Sequence, residues 1–429
     1  MPPPATAARL GPIPRLALVV FFLISTGVSG RQTLWYFSHG PTVTDFRIFM
    51  TGIDMMRSGE GHDLYHFDAQ QRVQTRLYPE TKGSGLIPFN HLAFELLYYW
   101  PISRLPYHSA LIAWAMINVV FVFLIGWLLA PYTQALRHTA GVPLALYLLA
   151  FYPVIFAMGQ GQDSLVFFLL LVLSLRALDT DRTFLAGFIL ALASFKFHLA
   201  LLILFFVFFL PGKWRGLAGF AAGGVVVGGI SLAMVGPHLI PEYLAMLRNQ
   251  GVMTPWGFIP WYMPNLRGLL EWGLAPQLDL GSILPVIFMA SAVVGVVATW
   301  LTLRSRAQQD PSLAYAVAIL TTVLLSYHLH MQDLAMAALP MLVLLDRMIR
   351  ERTMRPETAG AATTHRTFSP TWTASMVLAV ASLYLFRIAG EPFPVLQIRG
   401  CLLAVPVFLL WMVALHAWCS IRSTVRVAA

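Results

Sequence analysis

Long apolar runs separated by short polar turns follow one another along the whole chain, and their lengths predict membrane-spanning helices. The runs cover roughly Arg15 to Phe37, Ala110 to Ala130, Val142 to Met158, Asp163 to Leu178, Trp214 to Val235, Ser282 to Leu303, Ser312 to Tyr327, Gln332 to Leu345, Thr371 to Phe386 and Cys401 to Ser420. A further run, Phe184 to Leu210, is interrupted midway by Ser194-Phe195-Lys196-Phe197-His198, which a single lipid-exposed helix would not carry. It reads as two short helices, which brings the total to twelve. With a cytoplasmic N-terminus, the basic residues from Arg137 through Arg176, Arg182, Lys213, Arg215, Arg304, Arg306, Arg347, Arg350, Arg352 and Arg355 to Arg422 and Arg426 all fall inside. Both termini are then cytoplasmic. The first run also resembles a secretory signal, since Arg9 and Arg15 precede it and Gly27-Val28-Ser29-Gly30 resembles a cleavage site; either reading leaves the next loop outside.

Three outside regions exceed a simple turn: residues 38–107, 237–281 and 387–400. On the inside, residues 346–370 form a polar linker, richest in Thr, Ala and Arg from Glu351 to Ser369. There is no internal repeat. In the first outer loop Thr44 suits a helix N-cap, and Phe46, Phe49, Met50, Ile53 and Met56 recur at helical spacing until Ser58-Gly59. This pattern predicts an amphipathic helix on the outer membrane surface, with Asp45 in its first turn, where the helix dipole favours a carboxylate. The second loop repeats the pattern with Leu239, Tyr243, Met246 and Leu247, and Pro264-Asn265-Leu266-Arg267-Gly268 opens another short helix. It is placed to roof the same cavity.

Composition agrees with the pattern. The chain of 429 residues is 58% hydrophobic and 11% charged, with mean hydropathy +0.70, which excludes a water-soluble globule with one buried core. The net charge of +9 is explained by orientation and anionic lipid headgroups, so no nucleic-acid partner is implied. Cys401 and Cys419 lie on one predicted helix about 27 Å apart, too far for a disulfide.

Polar groups gather at the predicted outer boundary in four places. Asp45 reads either as a base that deprotonates an acceptor hydroxyl or as an ordinary first-turn acid. Gly159-Gln160-Gly161-Gln162-Asp163 is a tight turn whose glutamines suit sugar hydroxyls, or a plain polar turn. Lys196, with His198, lies between half-length helices and must reach an interface or a buried anion unless it snorkels outward. Tyr327-His328-Leu329-His330-Met331-Gln332-Asp333 offers two imidazoles and an acid for hydrogen bonds to a phosphate or sugar; a metal site is the weaker reading, because no characteristic zinc spacing accompanies it. No Gly-rich phosphate loop or nucleophile elbow is present.

In order and spacing, several of these segments resemble glycosyltransferase family 87, which includes polyprenol-phosphate-mannose-dependent mannosyltransferases of actinobacterial envelopes. They are Asp45-Phe46 with Gly59 and Asp63-Leu64-Tyr65, Pro101 to Pro106 leading into Trp114, Gly159 to Gln162, Ala186-Gly187-Phe188, Lys213-Trp214-Arg215, Asn265 to Gly268, and His328 to Asp333. Two departures stand out: Pro88-Phe89-Asn90-His91-Leu92 replaces a Tyr-Pro-Pro element, and Lys196-Phe197 replaces a Lys-Pro pair. The resemblance implies an all-α polytopic GT-C fold, forming a single domain over residues 1–429 in a bacterial plasma membrane, with an extracytoplasmic active site and Asp45 as catalytic base. It further implies a polyprenyl-phosphate sugar donor, inversion at the anomeric carbon, a glycolipid or glycan acceptor, and neither cofactor nor metal.

The expected activity is therefore transfer of one hexose, by the resemblance mannose. Lys196, His198, His328, His330, Gln160, Gln162, Asn90, Asn265, Arg267 and Asp333 are the candidates for binding substrate or donor phosphate. The alternative is a polytopic transporter or flippase, for which a broken segment around Lys196 would be equally natural, although a transporter would place its polar residues near the midplane. A non-catalytic assembly protein of the envelope is a third reading.

Overall fold

The computed structural model describes residues 9–81, 85–253, 260–273, 283–305, 310–353, 368–390 and 399–421, which form helices and, among the described residues, no strand. Five of these helices are long and apolar enough to cross a bilayer: Pro12–Thr42, Tyr107–Tyr132, Trp214–Val235, Leu284–Arg304 and Gly400–Ser420. A sixth crossing results if Thr183–Leu192 and Ser194–Phe208, bent by 68°, count as one broken span. Their apolar side chains face outward where lipid would lie. Ile13, Leu16, Trp127, Val225, Val286 and Val294 are each more than 60% exposed, as expected of surfaces solvated by acyl chains rather than water.

The other predicted spans are shorter or divided, for local reasons. The run Val142 to Met158 becomes two helices, Leu144–Ala150 and Tyr152–Gln160, separated by extended Phe151. Pro153 has no N–H to continue the first helix but suits the first turn of the second. The run from Gln332 starts as a 3-10 helix, Met331–Ala337, and continues as an α-helix from Ala338 to Thr353, so the first residues of the expected linker are helical. Residues 354–367 of that linker lie outside the described residues, as do 254–259 and 274–282 of the second loop and 391–398 of the third. The interruption at Ser194–Lys196 is a 3-10 turn between Thr183–Leu192 and Phe197–Phe208, as the sequence predicts.

The centre of the bundle consists of Ser164–Asp179 and Pro311–Leu325, apolar all round and buried along nearly their whole length. Beside them Thr183–Leu192 and Trp214–Val235 pack backbone to backbone. A Cβ on Gly187 would fall 1.9 Å from the Gly216 carbonyl oxygen, and one on Gly219 would fall 1.9 Å from that of Phe184, so only glycine permits this approach.

The loop that follows the first span is helical and docked. We label its helices with that of the first span: α1 (Pro12–His39), α2 (Phe46–Arg57) and α3 (Phe67–Leu77). The expected surface helix exists as α2, but it does not lie on a membrane surface. Phe46, Arg47, Phe49, Met50, Thr51, Gly52, Ile53 and Met55 are buried within the protein. Phe49 stacks on Tyr99 with centroids 4.2 Å apart, and Tyr99 packs on Trp114 at 4.1 Å. Burial of Phe46, Phe49 and Ile53 stabilises this docking by about 1.5–3 kcal/mol each. Two glutamines of α3 then fix the strap that follows. Gln70 donates to the carbonyls of Leu64 and Phe89 and accepts from the Phe89 N–H, and Gln74 donates to the Ile87 carbonyl at 2.6 Å.

Candidate active site

The site begins where the chain leaves α1 and turns into α2. Thr44, expected as the N-cap, instead donates its hydroxyl to the Gly40 carbonyl and pairs with the Tyr107 hydroxyl at 2.5 Å. Asp45 itself occupies the N-cap position, yet its side chain caps nothing. Its Oδ2 accepts a 2.7 Å hydrogen bond from Gln162 Nε2, while its backbone N–H donates to Gln160 Oε1 at 3.0 Å. No donor among the described residues reaches Oδ1. Burial raises the proton affinity of Asp45 above that of an ordinary carboxylate, against the opposing pull of His330, the Gln162 bond, Arg47 and Lys196.

Gln160 and Gln162, expected to meet sugar hydroxyls, are buried and used on the protein: Gln160 Nε2 donates to the Val43 carbonyl, and both side chains grip Asp45. Their turn is pinned in its own right. Tyr99 donates to the Gly161 carbonyl at 3.3 Å, and Trp114 donates to that of Gln162 at 3.0 Å. Gly161 has φ +67°, and a Cβ there would fall 2.6 Å from Phe46. A glycine is needed both for the left-handed backbone and for the start of α2 to seat against the turn.

Behind this turn lies a buried ionic cluster. Lys196 Nζ sits 2.7 Å from Asp163 Oδ1 and 2.6 Å from Asp333 Oδ1, with Ser164 Oγ at 3.3 Å. Ser164 also donates to Asp333 Oδ1, and Asp333 Oδ2 accepts from the His330 N–H in a reciprocal capping box. Lys196 therefore reaches the buried anions that its position demanded, and those anions are Asp163 and Asp333 rather than a ligand. With two carboxylates on one ammonium, it ties the Gln160–Asp163 turn, the broken helix and the His328–Asp333 turn together. A buried ammonium so compensated has little attraction left for a phosphate.

Sequence reading passed over His91 and Glu95 on the strap. His91 Nδ1 lies 2.5 Å from Glu95 Oε2 and 3.4 Å from Asp163 Oδ2, and its side chain remains 22% exposed while both acids are fully buried. Burial pushes His91 down to about 4, against the pull of Asp163, and pushes Glu95 well up, with the Asp163 charge adding to it. The three residues bring one ligand atom each to within 4.8 Å of one another, the spacing a cation would need, but the Lys196 ammonium already supplies a positive charge to Asp163. Their signal was the four-residue spacing of His91 and Glu95, which faces both to one side of a helical turn. Arg47, also unassigned, is 1% exposed and donates to the Pro41 and Gly85 carbonyls.

On the far side, His198 and His328 have ring centroids 6.0 Å apart, and those of His328 and His330 lie 4.3 Å apart. His198 Nε2 is buried without a hydrogen-bond partner among the described residues. Burial holds His328 well below the ordinary imidazole range, so it is a neutral group rather than a cation. Arg267 donates to the Tyr327 carbonyl, pairs with Glu271 at 2.7 Å and covers the Tyr327 ring at 4.1 Å. Asn265 is fully buried between the Ser326 carbonyl and the Gly268 N–H, a helix-start role in place of the expected ligand contact. Asn90 is half-buried, and its carbonyl accepts from Tyr243, through which the helix Leu239–Met253 lies against the first loop.

The chain matches the model of glycosyltransferase family 87 over residues 93–326, more than half its length. It belongs to glycosyltransferase family 87. The match agrees with the resemblance read from the motifs, and membership makes this a membrane glycosyltransferase. Comparisons with curated proteins and with solved structures gave no match. The matched stretch includes Gln160, Gln162, Asp163, Lys196, His198, Asn265 and Arg267, whereas Asp45, Asn90, His91, His328, His330 and Asp333 lie outside it. The hydrogen bonds and ion pairs described above join the two sets into one site.

Proposed function

We propose that this family 87 member is a twelve-span GT-C enzyme of a bacterial plasma membrane, with both termini cytoplasmic. It transfers one hexose, mannose by analogy with the family, from a polyprenyl-phosphate donor to a glycolipid or glycan acceptor on the extracytoplasmic side. Reaction is a single inverting displacement. An acceptor hydroxyl oxygen bonds to the anomeric carbon as the bond from that carbon to the phosphate oxygen breaks, and the hydroxyl proton passes to Asp45. The electron pair leaves with the polyprenyl phosphate.

The observation that carries this reading is the state of Asp45. It is held by Gln162 on one oxygen, has no donor on the other among the described residues, and has a raised proton affinity. These are the properties of a general base near neutral pH. The leaving phosphate is assigned to the N–H groups of His198, His328 and His330, with Arg267 beside them, since Lys196 is committed to Asp163 and Asp333. Imidazole N–H donors positioned on a developing anion stabilise it as charge builds up. Sugar specificity falls to the half-buried Asn90 and His91 on the strap. We further propose that transfer requires no metal.

Transfer of labelled sugar from a polyprenyl-phosphate donor by the purified protein, with and without chelator, tests the reading. Wild-type transfer that persists in chelator and is lost in Asp45→Asn is the expected result. Equal transfer by wild type and variant would remove the base assignment, and full inhibition by chelator would return the His91–Glu95–Asp163 group to consideration as a metal site.

A further inference from the structure

The opposite end of α1 carries a site that transfer chemistry does not use. Arg15 lies about 36 Å along the helix from His39 at 1.5 Å per residue, more than the thickness of a hydrocarbon core. There the chain before α1 meets the turn between the helices Gln134–Ala140 and Leu144–Ala150. The Leu10 N–H donates to the Thr139 carbonyl at 2.9 Å, and Arg15 Nη2 donates to the Gly141 carbonyl at 2.6 Å. Between them is a cavity of about 220 Å³ lined by Arg9, Arg15, Arg137, His138, Thr139 and Gly141, among others.

The lining is strongly one-sided in charge. Three arginines line it, and none of them forms an ion pair among the described residues. Among the described residues, the acid that touches this helix, and another that pairs on the helix beside it, are already held. Asp346 takes the Leu136 N–H at 2.9 Å and Arg350 at 2.5 Å, and Asp310 pairs with Arg347. The hydroxyl oxygen of Thr139 is buried without a hydrogen-bond partner among the described residues.

We propose that this cleft binds the phosphate of an anionic membrane lipid, with Arg9, Arg15 and Arg137 around the phosphate oxygens and the Thr139 hydroxyl donating to one of them. Free phosphate shares that chemistry, but the surroundings favour a lipid. Ile13, Leu16, Val20, Leu23 and Ile24 leave the adjoining half of α1 with an exposed apolar surface, which the acyl chains of a lipid held by its headgroup at this end of the span would cover. The lipid would anchor α1 against the Gln134–Ala140 turn. Loading of the site is independent of the reaction at Asp45.

Native mass spectrometry of the full-length protein in neutral detergent tests this with phosphatidylglycerol, phosphatidylcholine and inorganic phosphate as probes. Wild type should retain phosphatidylglycerol about tenfold more than phosphatidylcholine, with inorganic phosphate at equal concentration failing to displace it. The variant Arg9→Gln/Arg137→Gln should lose that preference, whereas Arg9→Lys/Arg137→Lys should keep most of it. Neither Arg9 nor Arg137 makes a side-chain hydrogen bond within the described residues, so the substitutions remove none of the hydrogen bonds described. Equal retention of both lipids by wild type, or an unchanged preference in the glutamine variant, overturns the site. Displacement by inorganic phosphate overturns the lipid as its occupant.

Discussion

Asp45 and Lys196 sit on the same face of the bundle, and both are ionisable groups withdrawn from water, but their surroundings give them opposite tasks. Lys196 is enclosed by two carboxylates and a hydroxyl within 3.3 Å, so its charge is spent on holding three chain segments together. Asp45 has one side-chain hydrogen bond and an oxygen that no protein donor reaches among the described residues. Full compensation makes a charged group structural, whereas partial compensation leaves it ready to exchange a proton. The contrast also explains how the two are built. Lys196 is fixed by its own long side chain reaching short ones on two other helical segments, while Asp45 is fixed mainly through its backbone, by the Gln160 contact and the packing of Phe46.

The sharpest way to break this comparison is to neutralise each group in turn. Asp45→Asn should reduce transfer by about 10²–10⁴-fold, the usual contribution of a general base, with an unchanged melting temperature; residual activity near wild type would end the contrast. Lys196→Met should act on stability first. Leaving Asp163 and Asp333 buried without their cation costs about 3–5 kcal/mol, read as a large fall in thermal stability in detergent, and adding Asp163→Asn and Asp333→Asn should restore most of it. A Lys196→Met protein with normal stability but no donor binding would make Lys196 a phosphate ligand after all.

Smaller effects sharpen the comparison. Gln162→Leu removes the one side-chain donor to Asp45, so the Asp45 proton affinity should rise further. The acid limb of the pH profile of kcat/KM then moves to higher pH, with transfer falling about tenfold on that limb, as expected for a hydrogen bond to a charged group; an unmoved limb would detach Gln162 from the base. The smallest effect is expected at His91. Its folded-state affinity is depressed from 6.5 to about 4, so the unfolded chain takes up a proton first as pH falls. The stability that neutral His91 contributes is present above pH 6.5 and is lost as pH drops toward 4. His91→Gln should flatten the dependence of melting temperature on pH across that window.

The sequence reading recovered some of these features and not others, for reasons visible in particular residues. The break at Ser194–Lys196 was legible because a lysine amid apolar residues demands a partner. The helix Phe46–Arg57 was legible from its periodicity, but its burial was not. An amphipathic pattern fixes which face is apolar and leaves open whether lipid or protein covers it, and here Tyr99 and Trp114, distant in sequence, do so. Gln160 and Gln162 looked like ligand groups because polar residues at an outer boundary are equally suited to substrate and to backbone. His91 and Glu95 were missed because their four-residue spacing alone does not show that Asp163 completes the group.

The sequence alone determined that this chain belongs in a membrane, that a carboxylate follows the first span, and that its remaining polar groups cluster at helix ends. Apolar length and charge placement are local properties, and they survive without knowledge of contacts. Only the tertiary structure decided which polar group is paired with which. Pairing depends on the meeting of residues more than a hundred positions apart, as Asp45 with Gln162 and Lys196 with Asp333. Proton affinity follows from burial and from those partners, so the division between a saturated lysine and a poised aspartate exists only once the chain has folded.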